Sequence, residues 1–202
     1  MKSTHCILPL LVSVMALAPM ASAENLITNG DASDDVMIFD VPASIEGSIH
    51  EGDPAEGGAG GKPRSFALKI LAENDGRPIG MSVKKPIFID YAKSYRFRIS
   101  FLSQGDGIIV AGGYVHDGES SQPLENADGR VWEYSMKTPD GQSVLKFPST
   151  GWVDMEATVG PEGSSADFFW IPNSLRVGLG FWITAAPGTT VYVTNLSVEE
   201  IP

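Results

Sequence analysis

The chain has 202 residues, of which 25 are acidic and 14 basic, for a formal charge of −11. Such an excess of carboxylates disfavours nucleic acid and anionic lipid surfaces as partners. The single cysteine, Cys6, lies near the N-terminus, so the rest of the chain offers no disulfide, no thiolate metal site and no cysteine nucleophile.

The N-terminus reads as a targeting segment. Lys2 supplies a positive charge, residues 7–20 are apolar apart from Ser13, and Ala21-Ser22-Ala23 places small residues where a signal peptidase reads. Residues 1–23 are therefore expected to be a signal peptide, cleaved before Glu24. The apolar run falls short of the roughly 20 residues that a spanning helix needs, and no later segment approaches that length. Residues 24–202 then form one domain, long enough for a two-layer core.

Along this domain no segment holds a 3.6-residue apolar period over three turns, whereas several alternate with period two, the mark of half-buried strands. In chain order the expected strands are Asn25–Thr28, Val36–Val41, Ser65–Ala72, Gly80–Ile89, Tyr95–Phe101, Ile108–His116, Arg130–Lys137, Trp152–Val159, Leu175–Ile183 and Thr190–Glu199. In the fifth, Tyr95, Phe97, Ile99 and Phe101 share one face and Arg96, Arg98 and Ser100 the other. In the ninth, Leu175, Val177, Leu179, Phe181 and Ile183 point inward, and Arg176, Gly178, Gly180, Trp182 and Thr184 outward. The stretches 51–63, 117–129 and 160–166 are rich in turn residues and read as loops within the domain. Many strands, few helices and frequent Gly or Pro turns predict an all-β fold, a two-sheet antiparallel β-sandwich.

The outward faces carry the candidate chemistry. Sugar rings have apolar C–H faces, so a sugar site presents a flat aromatic ring with hydrogen-bonding side chains around it. Trp182 lies opposite an apolar stripe, with Gly178 and Gly180 before it on the same face leaving an open floor; it either stacks on a ligand there or covers a loop or a second small core. Arg176, Arg96 and Arg98 are also outward and can donate to hydroxyls or acidic sugars. Trp132 and Tyr134 share a face of their strand, either as a second aromatic strip or as core. Tyr114 and His116 share a face with Ile108 and Val110, buried or lining a groove. Trp170, within a dense apolar patch, either plugs a sheet end or forms a rim above a ligand. Trp152 reads as core.

Four segments together resemble the carbohydrate-binding modules of families four and nine. They are Asn25-Leu26-Ile27-Thr28-Asn29-Gly30-Asp31, the run from Lys93 to Phe101, Ser149-Thr150-Gly151-Trp152-Val153, and the closing run from Pro187 to Val198. Their order and spacing agree with that pattern over nearly the whole of residues 24–202. The resemblance implies a galactose-binding-like jelly roll that binds polysaccharide or oligosaccharide across one sheet face. It also implies a structural calcium near the first and last strands, but Ser33 and Thr194 stand where the family carries acidic residues. Asp31, Asp34 and Asp35 either supply oxygens to such an ion or form a solvated acidic loop; no other cofactor is expected.

Enzyme motifs are absent. No Gly-x-Ser-x-Gly elbow or His-Glu-x-x-His pair occurs, and beyond the leader only His50 and His116 remain. Some polysaccharide lyases are jelly rolls that use Tyr or His as base and Arg against a uronate; Tyr114, His116 and Arg98 have those types. The leading expectation is a secreted, non-catalytic carbohydrate-binding module. The alternatives are an extracellular structural or cell-surface interaction domain on the same fold, and a jelly-roll polysaccharide lyase. Mass spectrometry of the exported protein should find Glu24 at its N-terminus; retention of Met1 would contradict the leader.

Overall fold

A computed structural model describes residues 24–54, 64–72, 76–116, 133–149, 151–171 and 174–202. The expected leader, residues 1–23, lies outside the described residues, as do Trp132 and the greater part of the loops expected at 51–63 and 117–129. Among the described residues there is no helix, and two sheets face each other. The fold is the all-β sandwich expected from the alternation, in the jelly-roll form that the resemblance implies.

One sheet has six strands in the order β1 (Ile45–Glu51), β2 (Arg64–Ile70), β13 (Thr190–Ile201), β5 (Ser94–Gln104), β9 (Val153–Gly160) and β10 (Phe168–Phe169). The other is built around β6 (Gly107–His116). Along one flank of β6 run β11 (Arg176–Val177) and β12 (Gly180–Ala185), which pair with successive stretches of it. Beyond them lie β4 (Ile87–Phe88) against β11 and β3 (Ile79–Ser82) against β12. The other flank of β6 takes β7 (Glu133–Ser135) and β8 (Leu145–Phe147).

The alternating faces meet between the sheets. Phe97, Ile99 and Phe101 of β5, Phe66 and Leu68 of β2 and Val191 and Val193 of β13 are buried from one side; Ile109 and Ala111 of β6, Val177, Leu179, Phe181 and Ile183 are buried from the other. Phe181 packs edge-to-face on Phe101 at 5.1 Å and on Phe39 at 5.3 Å, a geometry that favours aromatic pairs. Leu175, expected in this stripe, is exposed instead: it stands just before β11, with its N–H bonded to the His116 carbonyl at the end of β6.

Two expected strands are not strands. Asn25–Thr28 makes a single bridge, Asn25 to Glu199, because the Asn25 side chain takes over the ladder. Its Oδ1 accepts from the backbone N–H of Ile27 and Val198, and its Nδ2 donates to the Leu196 carbonyl. Gly30 follows, where a Cβ would lie 2.0 Å from the Leu196 carbonyl oxygen; the Asn-Gly opening thus fits against a bulge in β13 at Thr194–Ser197. Val36–Val41 makes one bridge, Phe39 to Val83, and serves to drop Phe39 into the core. The expected strand Gly80–Ile89 is cut into β3 and β4. Val83 N–H still donates to Leu179, but Lys84 N–H turns to the Ile38 carbonyl, and Pro86 has no N–H to give.

Candidate functional site

Trp182 stands on the outer face of the sheet built around β6 because Phe181 and Ile183 on either side of it are locked into the core. Its indole is half-buried and extends over Gly80, its partner across β3; a Cβ there would sit 3.0 Å from the indole Nε1. The Tyr114 ring meets the indole edge-on at 5.9 Å and 80°. The outer face of this sheet forms an open groove of about 660 Å³ lined by Trp182, Tyr114, His116, Arg176, Gly178, Lys84, Lys85 and Asp40 among others. Arg176 lies directly across the ladder from His116, and the Gly178 N–H donates to the Tyr114 carbonyl. Trp182 and Arg176 are therefore set along one strand line, at most about 20 Å apart, with tyrosine and histidine beside them. Tyr114 and His116 are groove-lining rather than core, since the buried face of β6 is Ile109, Ala111 and Val115.

The two glycines before Trp182 do different things. A Cβ on Gly178 would touch only the Tyr114 carbonyl, at 3.8 Å, so Gly178 does leave an open floor. A Cβ on Gly180 would meet the Met81 carbonyl oxygen at 2.4 Å; its smallness serves strand packing rather than a ligand.

The structure does not bring the other expected residues to this groove. Arg96 and Arg98 lie on β5, in the opposite sheet, and point away from it. Arg96 is exposed and Arg98 pairs with Glu156 at 3.1 Å. Neither reaches a ligand on Trp182, and Arg98 cannot act with Tyr114 and His116, because the whole core lies between them. Arg98 instead borders a polar depression of about 490 Å³ with Asn25, Asn29, Asp31, Asn195 and Glu199, which has no aromatic side chain in its lining. Tyr134 is core: its ring lies 4.7 Å from Phe97, its hydroxyl donates to the Gly178 carbonyl at 2.9 Å, and burial pushes its phenol well above the ordinary range. It belongs to the inward face of β7, so it forms no outward strip; Trp132 lies outside the described residues.

Trp170 plugs a sheet end, buried against Tyr95 and Phe97 with its indole N–H donating to the Lys93 carbonyl. Trp152 is not in the main core. It packs half-buried on a satellite cluster of Ala67, Leu102 and Tyr192 on the outer face of the six-stranded sheet, and its indole donates to Asp53 at 3.0 Å. The sequence pattern did not single out Lys84 and Lys85. Strict alternation would send them to opposite faces, and only the interruption signalled by Pro86 sets both along the groove.

The three aspartates near the N-terminus do not converge. The Asp31 carboxylate accepts from Ser33, which holds it below the ordinary carboxylate range. Asp35 pairs with the Arg64 guanidinium, which also donates to the Ser33 carbonyl and to Glu51 at 2.8 Å. Asp34 offers its backbone to Asn29. A guanidinium thus gathers oxygens on this loop, and among the described residues no group of three or more His, Cys, Asp or Glu side chains is placed to hold an ion. No helix among them is long and apolar enough to cross a membrane.

No protein-family model matches the chain, and no curated protein matches it in sequence. Solved structures do match it in shape. The CBM22-1 xylan-binding domain from Paenibacillus barcinonensis superposes with a TM-score of 0.53 at 8% identity, over 89% of this chain and 96% of that domain. An exo-beta-agarase gives 0.55 at 10% identity, and an arabinose-bound α-L-arabinofuranosidase 0.53 at 14%, each over 89% of this chain. The chain spans only 25% and 26% of those two enzymes. The likeness establishes the sandwich fold alone.

The contrast between the glycines is measurable. Gly180→Ala should cost about 1–3 kcal/mol through overpacking, whereas Gly178→Ala should leave the thermal melt nearly unchanged. Equal losses for the two would show that the sheet is not packed as described.

Proposed function

We propose that this protein is a non-catalytic carbohydrate-binding module, exported from the cytoplasm, that holds a polysaccharide chain in the groove of its seven-stranded sheet. The observation that carries this reading is Trp182, a half-buried indole forced outward by core neighbours and set at the side of an open groove with hydrogen-bonding side chains along it. An aromatic face covers the C–H face of a sugar, while Arg176, His116 and Tyr114 offer donors and acceptors for hydroxyls. The fold shared with a xylan-binding domain supports the reading, and the Asn-Gly opening, one of the four segments that carry the resemblance, docks on the closing strand.

The groove favours binding over cleavage. Among the described residues Asp40 is the one carboxylate in its lining, whereas glycoside hydrolysis uses two that face each other across the sugar. The lyase reading keeps one observation in its favour, that Tyr114, His116 and Arg176 line the same groove. It predicts new ultraviolet absorbance on incubation with polyuronates, which a binding module does not produce.

Trp182→Ala removes the platform. A fully covered large side chain contributes about 1.5–3 kcal/mol, so the variant should bind soluble polysaccharide roughly ten- to a hundred-fold more weakly and melt at nearly the wild-type temperature. Unchanged affinity in calorimetric titration would place the site elsewhere. A wild-type protein that binds no glycan in a broad panel would instead favour an interaction domain on the same fold.

A further inference from the structure

The charge of the groove is opposite to that of the chain. The protein carries −11 overall, yet among the described residues the groove lining holds three permanent cations, Lys84, Lys85 and Arg176, with His116 beside Arg176 and Asp40 as the one carboxylate against them. Lys84 and Lys85 are both exposed. Among the described residues neither forms an ion pair. Lys84 donates once, to the Met37 carbonyl at 3.3 Å, and an ammonium has three donors. The cations are also set apart along the groove: Arg176 is one strand line in from the edge, and the lysines occupy the break between β3 and β4 where the chain leaves the ladder.

We propose that the groove selects an acidic polysaccharide, one bearing carboxylate or sulfate groups along a chain whose sugar faces stack on Trp182. This inference rests on the reading of the groove as a sugar site and names the ligand class. A neutral glycan needs donors and acceptors but no concentration of fixed positive charge. An acidic one needs cations spaced along its length, and a guanidinium and an ammonium both pair with carboxylate and sulfate oxygens. The overall negative charge does not prevent this. At physiological ionic strength charges beyond about 8 Å are largely screened, so a ligand in contact with the groove responds to the lysines and the arginine rather than to distant carboxylates.

The test uses the full secreted chain and three probes: polygalacturonate, dextran sulfate and neutral xylan. Wild type should bind at least one acidic probe more tightly than xylan, and raising salt from about 0.15 M to about 1 M should weaken that binding roughly ten-fold as the screening length falls to about 3 Å. The double variant Lys84→Gln, Lys85→Gln should lose roughly ten-fold for the acidic probe and much of its salt dependence, with xylan affinity unchanged. Which acidic probe binds better distinguishes carboxylate from sulfate recognition. Xylan bound as tightly as either polyanion, or acidic binding indifferent to salt, overturns the charge proposal and leaves the sugar site standing. Wild type that binds none of the three overturns both.

Discussion

The Phe181 ring, held edge-to-face between Phe39 and Phe101, is the contact on which the site depends. Side chains on a strand alternate, so a residue fixed inward sends its neighbours outward. Leu179, Phe181 and Ile183 are all buried, and a slip of one residue would exchange three apolar side chains for two glycines and a tryptophan. That cost, several buried side chains at about 1.5–3 kcal/mol each, is far larger than anything gained by hiding one indole. Trp182 is thus exposed by the core rather than by any preference of its own.

The same sheet is hollowed by interruptions. Its ladder is broken at Gly178-Leu179 between β11 and β12 and at residues 83–86 between β3 and β4. The first break leaves a bare strip of backbone at Gly178; the second swings two lysines along the margin. The outer face of the six-stranded sheet carries instead the polar depression beside Arg98, with no aromatic side chain in its lining. Tyr192, Leu102 and Ala67 are buried there beneath Trp152, which Asp53 pins by its indole N–H, and its arginine Arg98 is engaged with Glu156. Two faces with similar aromatic content therefore differ in what they can accept: one holds its aromatic side chains against itself, the other sets them along an open groove.

How far the sequence shows this follows from how burial patterns a strand. Central strands have one dry face, so Tyr95 to Phe101 and Val177 to Ile183 were readable, and with them the direction of Trp182. Edge strands bury little: in Ile45–Glu51 only Ile45 is buried, which leaves no alternation to read. Tyr134 was ambiguous because a three-residue strand cannot fix its own phase. Periodicity also says which face a residue takes within its own sheet but not which sheet that is. Arg96 and Arg98 were correctly outward yet belong to the other side of the molecule, since sheet assignment depends on long-range pairing such as β5 with β13. Lys84 and Lys85 needed the break at Pro86, a local signal whose geometric effect only the pairing shows.

The central claim is that a glycan lies on Trp182 within this groove, and nuclear magnetic resonance can locate it directly. In isotopically labelled protein titrated with oligosaccharide, the indole N–H of Trp182 and the backbone amides of Tyr114, His116 and Gly178 should shift together. The indole signals of Trp152 and Trp170, bonded to Asp53 and to the Lys93 carbonyl, should stay in place. Shifts gathered instead around Arg98, Asn195 and Glu199 would contradict the account and move the site to the opposite sheet.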